Sequence, residues 1–245
     1  MMERKLVFFV SFLSLVLFPI RFLAASEIKA GLARLEITPP IGYAMAGYGA
    51  RQGISKSIHD SLFTTVLVLR TSEDSLALVT ADLVTMFSPR VEREIQRNSG
   101  IRHVLLSSSH THSGPLPPLG GQAPEAMRVW WHETESKMIR AVTMADEQIF
   151  SARIYGGTGQ AYIGHNRRRM LANGTVETIW RNAKMLPTAP VDPTVSVLRV
   201  DDSEGKLRAL VVNYSCHPTV LGPDNLEISA DYVALSAYNG WTLTL

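Results

Sequence analysis

The stretch Leu105-Leu-Ser-Ser-Ser-His110-Thr-His112-Ser-Gly-Pro115 decides how the chain is read. An apolar run ends in three serines, and two histidines follow before a Gly-Pro stop. In an extended segment, residues i and i+2 point to the same side. On that reading His110 and His112 present two imidazoles to one small volume. A metal ion can use that geometry, and so can a metal ligand paired with a proton carrier. A bare His-x-His also occurs in solvent-exposed loops, so the surrounding sequence must decide.

Upstream, Ser75–Thr80 is an apolar run ending at Ala81-Asp82. Ser88-Pro89 is a helix start, with a capping serine and proline at the first helical position. Val91 and Ile95 fall four apart on one face, Gly100 closes the helix, and Val104–Leu106 is the next strand. Strand, helix and strand in close succession form a βαβ unit, with parallel strands and a right-handed crossover. Asp82 and His110 then lie at the carboxyl ends of neighbouring strands, the edge at which open α/β sheets bind ligands.

The rest of the chain fits one α/β domain: a mixed β-sheet core with flanking helices, its βαβ unit carrying the His-Thr-His motif. Ala30–Ile37 alternates weakly, like an edge strand, until Thr38-Pro-Pro-Ile-Gly42 stops it. Leu62–Leu69 is a buried strand. Between Pro124 and Phe150 the spacing predicts a long helix, with Met127, Trp131, Thr134, Met138, Val142, Ala145 and Ile149 as its core stripe and His132 exposed. Strand-like runs follow at Ala152–Tyr155, Thr194–Val200 and Leu207–Tyr214, the last two joined by a turn at Asp201–Gly205. The final run, with Asn213 expected to be buried, leads into Ser215-Cys-His217-Pro218, a second histidine at a strand end.

Composition sets the bounds. At 245 residues, 46% hydrophobic and 19% charged, the chain can bury one sizeable core. A formal charge of +2 with scattered Lys and Arg excludes a nucleic-acid binder, and Arg167-Arg168-Arg169 is the densest basic cluster. A single cysteine, Cys216, excludes an intrachain disulfide framework and reads as a small buried hydrophobe. Gly47-Tyr-Gly49 and Gly53 make a glycine-rich loop without the dinucleotide spacing. Residues 1–25 read as an export signal, with a charged start, an apolar Leu6–Phe18 and small residues at Leu23-Ala24-Ala25. The mature chain, residues 26–245, is then expected outside the cytoplasm, secreted or periplasmic, with a retained N-terminal membrane anchor as the alternative.

A catalytic zinc site takes about three protein ligands and leaves a position for water. His110 and His217, each at a strand end, are the natural first two. His112, Asp82, His59 and Asp231 are candidates for a third ligand, a group that orients a ligand, or the proton carrier. Arg167, after Gly164-His165-Asn166, is a candidate to hold a carboxylate, a phosphate or a developing oxyanion.

Together these motifs resemble the N-terminal catalytic domain of neutral ceramidases, the neutral/alkaline non-lysosomal type. The resemblance runs from about Ile28 to Tyr232. It rests on Ala30-Gly-Leu-Ala-Arg-Leu-Glu-Ile-Thr-Pro39, Val79-Thr-Ala-Asp82 and Ser108-Ser-His-Thr-His-Ser-Gly-Pro115. It continues through His165-Asn-Arg167, Val191-Asp-Pro-Thr-Val-Ser-Val-Leu-Arg199, Asn213-Tyr-Ser-Cys-His217-Pro218 and Ile228-Ser-Ala-Asp231. It implies that His110 and His217 ligate a catalytic zinc, that His112 faces substrate, and that Arg167 contacts the scissile group. Asp82, Asn166 and Asp231 would support the ligands or touch substrate. The implied reaction is hydrolysis of the amide of N-acylsphingosine (ceramide) by zinc-activated water, giving a fatty acid and a sphingoid base. The implied partner is a lipid amide, reached by contact with a membrane surface. In the family two further ligands, a glutamate and a tyrosine, come from beyond the second histidine. Residues 233–245 carry no charge and do not resemble that continuation, so they read as a truncated or frame-shifted end. Two alternatives follow: a secreted fragment without turnover, or a zinc hydrolase of another class, such as one acting on phosphate esters.

Overall fold

The structure, a computed structural model, describes residues 27–118, 123–236 and 242–244. The export signal expected over residues 1–25 lies outside them. In chain order the elements are β1 (Lys29–Glu36), β2 (Ser57–Ile58), β3 (Phe63–Arg70), β4 (Ser75–Ala81), α1 (Pro89–Ser99), β5 (His103–Ser108) and α2 (Glu125–Glu147). They continue with β6 (Phe150–Gln160), β7 (Arg168–Met170), β8 (Val176–Thr178), β9 (Thr194–Asp202), β10 (Leu207–Tyr214), β11 (Glu227–Ile228), α3 (Tyr232–Ser236) and β12 (Thr242–Thr244).

An eight-stranded mixed sheet runs in the order β12-β10-β9-β6-β1-β3-β4-β5. The expected βαβ unit is present: β4 and β5 pair in parallel with Ala81 opposite Ser108, and α1 makes the crossover. Its ends are those the sequence specifies. The Ser88 side chain accepts from the Val91 N–H at 3.1 Å, Pro89 occupies the first turn, and Gly100 closes the helix in the left-handed region. The Ser88 hydroxyl also donates to Glu135 of α2 at 2.6 Å, and the other Glu135 oxygen accepts from Arg90 at 2.9 Å. The cap of one helix is thereby tied to the flank of the other.

Both helices cover one face of the sheet, where Val91, Ile95, Met138, Ala141 and Val142 pack with Val66, Val68, Ala77 and Val79. On the opposite face a second cluster joins Leu32, Leu67 and Leu78 to Val200, Val211 and Leu243. Strand β12 touches β3, although four other strands separate them in hydrogen-bonding order, so the sheet curls over on itself.

Four expectations need correction. The run from Ala30 is not an edge strand: β1 pairs with β3 along its length and with β6 at Lys29 and Ala30. Burial on both faces removes the apolar–polar alternation that a one-sided strand would show. In α2 the buried tryptophan is Trp130, not Trp131, because its indole N–H donates to the Ile37 carbonyl at 3.0 Å. Ile149 lies past the helix end and is exposed. Asn213 is exposed as well, although it falls on the same face of β10 as the buried Ala209 and Val211, because the strand ends there, one residue before Tyr214.

Gly31 shows how closely α2 approaches the sheet. A Cβ at Gly31 would stand 1.9 Å from the Ala145 carbonyl oxygen and 2.7 Å from its carbon. Backbone cannot yield as a flexible side chain can. Gly31→Ala is therefore expected to destabilise the chain by about 1–3 kcal/mol or more, seen as a lowered midpoint in thermal or urea unfolding. An unchanged midpoint would mean that α2 does not rest on β1 this tightly.

Candidate metal centre

Strand β5 stops at Ser108, and the Ser109 N–H bonds the Ala81 carbonyl at 2.9 Å, closing the parallel ladder. The expected extended arrangement of the two histidines does not occur. His110 has φ +61°, the left-handed region, which costs a side-chain-bearing residue roughly 1–2 kcal/mol. The turn is held by its neighbours. The buried Thr111 hydroxyl donates to the Ser229 carbonyl at 2.8 Å, and the Ser113 N–H donates back to Thr111 at 3.1 Å. Convergence of the imidazoles thus comes from a pinned turn and not from strand alternation.

His217 arrives from the other side, beyond the end of β10. Its ring centroid lies 4.5 Å from that of His110 and 4.6 Å from that of His112, and the first two rings are 5.0 Å apart. The Nε2 atoms of His112 and His217 are 2.8 Å apart, and those of His112 and His110 3.5 Å. Ring nitrogens of all three lie within 4.8 Å of one another, so the three histidines could hold one metal ion.

Protonation supports this. His110 Nδ1 lies 2.5 Å from the Val84 carbonyl, an obligate acceptor, so Nδ1 carries a hydrogen and Nε2 is the nitrogen left to face the cluster. His112 is lowered to about 4, first by burial, then by His217, His110, Arg167 and Arg51. Burial also lowers His217, with His110 and Arg167 adding to the shift. Near pH 7 His112 and His217 are therefore neutral, the form that binds metal.

Arg167 lies on this cluster. Its guanidinium donates to the Thr219 hydroxyl at 3.1 Å, two residues past His217, and sits 5.5 Å over the Trp180 ring. Asn166 acts locally, donating to the Pro190 carbonyl at 3.2 Å and accepting from the Arg168 N–H at 2.9 Å, which shapes the bend that presents Arg167.

The carboxylates have other work. Asp82 accepts from the Phe63 N–H at 2.9 Å, and Asp231 accepts from the N–H groups of Val220, Leu221 and Tyr232 at 3.2, 2.9 and 2.7 Å. Asp231 thereby folds the loop that follows His217. His59 is exposed and bonds Asp60 at 2.8 Å, away from the cluster. Cys216 is half-buried rather than fully so, and it does not join the metal-holding group found among the described residues.

The loop Gly47-Tyr48 supplies what the sequence did not reveal. The Tyr48 ring meets His112 edge-on at 4.9 Å, and its hydroxyl donates to the Leu221 carbonyl at 2.7 Å. A Cβ at Gly47 would stand 2.3 Å from His112 Cγ, so only glycine admits the imidazole there. The glycine-rich composition was visible; its target, more than sixty positions away, was not.

Asp82 yields a pH prediction. Burial first raises its carboxyl from 3.8 to about 6, although the Phe63 N–H and Arg34 oppose the shift. The folded state therefore favours the protonated form, and stability falls as pH rises from about 4 through 6. Asp82→Asn is expected to gain on wild type across that window, by on the order of 2 kcal/mol at pH 7.5, with the gap closing towards pH 4. Thermal melts of both proteins from pH 4 to 8 decide it, and a pH-independent gap would refute the assignment.

Comparison with known proteins follows the same outline. Residues 28–240 match the family model for neutral/alkaline non-lysosomal ceramidase, N-terminal. The match reaches past the Tyr232 limit expected from the sequence. The neutral ceramidase of Pseudomonas aeruginosa is 22% identical over 231 residues, 86% of this chain and 33% of that protein. Neutral ceramidase A of Dictyostelium discoideum is 25% identical over 271 residues, 97% of this chain and 37% of that protein. The crystal structure of the Pseudomonas aeruginosa neutral ceramidase superposes with a TM-score of 0.68 at 20% identity, over 90% of this chain and 38% of that one. A ceramidase complexed with C2 gives 0.65 at 20% identity, over 90% and 37% of the two chains. The fold is shared, and the chain spans about a third of the length of these relatives. With the family model covering residues 28–240, the chain belongs to the neutral/alkaline non-lysosomal ceramidase family and corresponds to its N-terminal part.

Proposed function

We propose that this chain carries the zinc-holding part of an amide hydrolase of the neutral ceramidase type, cleaving ceramide (N-acylsphingosine) to a fatty acid and a sphingoid base outside the cytoplasm. One observation carries the reading: neutral imidazoles from two separate strand ends converge, with Arg167 beside them. Zinc fits the donor set. Imidazole nitrogens bind zinc at roughly 2.0–2.1 Å, and the ring nitrogens of His110 and His217, like that of His112, lie within 4.8 Å of one another. His110 and His217 would hold the ion, with His110 oriented by the Val84 carbonyl. When bound, zinc supplies Lewis acidity and makes water acidic enough to serve as a nucleophile near neutral pH.

The chain's own groups do the rest. Water adds to the amide carbonyl, and Arg167 offsets the negative charge that develops on its oxygen. His112, neutral and beside both other imidazoles, accepts a proton from the water and passes it to the departing amine. The Thr219 bond and the Trp180 ring hold the guanidinium in place, and the Tyr48 ring and Gly47 hold His112. Export fits the apolar segment near the chain start.

Metal content separates the two roles assigned to the histidines. His110→Ala and His217→Ala are expected to lose zinc by at least tenfold in affinity, while His112→Ala retains it and loses turnover. If His112→Ala loses zinc as fully as His110→Ala, then His112 is a ligand and not the proton carrier. Arg167→Ala is expected to keep wild-type zinc and to reduce turnover of a dispersed lipid amide about 100-fold or more. Unchanged turnover would remove Arg167 from the chemistry.

A further inference from the structure

Strands β6 and β9 pair out to Gln160 and Thr194, and between them the chain makes an excursion of residues 161–193. Within it lie five basic residues, Arg167, Arg168, Arg169, Arg181 and Lys184, against two acidic ones, Glu177 and Asp192. That is a net +3 in a chain whose total is +2. The same segment leaves large apolar side chains in solvent: Ile163 is 72% exposed, Trp180 68% and Met185 88%, and Val220 beside it is 72% exposed.

Trp180, Val220 and Ile163 border the candidate metal centre, and Met185 follows Trp180 by five residues. Trp180 lies under the Arg167 guanidinium, which also donates to Thr219, next to Val220. Ile163 precedes Gly164, where a Cβ would stand 3.1 Å from Cys216 Sγ, and Cys216 precedes His217. The hairpin of β7 and β8 is joined to this base by the Ile179 N–H, which donates to the Arg167 carbonyl at 2.7 Å. Exposed apolar groups clustered in this way mark an interaction site. Aromatic and aliphatic side chains set among Lys and Arg are the pattern of a surface that enters the interface of an anionic bilayer.

We propose that the lip formed by Ile163, Trp180, Met185 and Val220, with the exposed Arg168 and Lys184 of the same excursion, docks on an anionic lipid surface. The site would then open directly onto the membrane. No helix among the described residues is long and apolar enough to cross a membrane, so the contact is interfacial. This deepens the reading of a lipid amide hydrolase and rests on it for its purpose, but docking can be measured without turnover.

The test uses the full chain with vesicles of phosphatidylcholine, alone or mixed with phosphatidylserine, carrying brominated acyl chains that quench tryptophan on contact. The chain has four tryptophans, so Trp180→Phe isolates the one at issue. Quenching by the anionic vesicles is expected in the wild type and lost in Trp180→Phe. Replacing Arg168 and Lys184 together by Gln should weaken binding to the anionic vesicles roughly thirtyfold, each basic residue being worth about fivefold. Absent quenching overturns the proposal. So does quenching that persists in Trp180→Phe, which would place the contact elsewhere, such as the apolar segment at the chain start. Vesicle binding that fails while the chain self-associates through Met185 would make the lip a protein interface, and also overturns it. Turnover of the same amide dispersed in detergent is scored separately, so failure of docking and failure of the hydrolase reading are told apart.

Discussion

Backbone amides in loops have no ladder to bond, yet those buried near a site must be satisfied. Around this candidate metal centre carboxylates satisfy them. Asp60 accepts from the Ala230 N–H and the Ser229 hydroxyl, Asp231 from the N–H groups of Val220, Leu221 and Tyr232, and Asp82 from Phe63. Ser229 in turn offers its carbonyl to Thr111, which fixes the turn between the two motif histidines. The chain from Asp60 through Ser229 to Thr111 links loops far apart in sequence and decides where the imidazoles stand. Removing any of these acceptors would leave buried donors unpaired, at about 1–3 kcal/mol each.

That arrangement explains which parts of the site were legible in the sequence. His110, His112 and His217 were readable because each follows an apolar strand, and the parallel pairing of β4 and β5 delivers the first two. The cap at Ser88-Pro89 and the stop at Gly100 were readable because capping is a local code. Asp82 and Asp231 were visible as carboxylates near the right strand ends, but sequence cannot say whether a carboxylate spends its lone pairs on a cation or on amides. Only the folded loops show that they went to amides. Tyr48 and Gly47 carried no local sign of their partner, since contact with His112 is made by tertiary approach alone.

The elements that departed from expectation did so through tertiary contacts that local pattern does not contain. A strand covered on both faces loses its alternation, so β1 resembled an edge when it is central. In α2 the choice between adjacent tryptophans turned on a hydrogen bond to Ile37, which a periodicity argument does not contain. The turn at His110 is the converse case. Its left-handed backbone conflicts with the local preference of a side-chain-bearing residue and persists because Thr111, Ser113 and Val84 over-determine it.

Electrostatics around the cluster run in one direction. Arg51 and Arg167 both oppose a proton on His112, and the group that could hold a metal consists of imidazoles without a carboxylate. Arg51 also keeps one buried guanidinium nitrogen without a partner, so its charge is not fully spent on the loop it braces. A field of this sign keeps His112 and His217 neutral and draws negative charge from outside. On the proposed reading, the negative charge that meets it is the one developing on the carbonyl oxygen. A neutral substrate would gain little from that field until the bond to water forms, which places the stabilisation in the transition state and not in the bound ground state.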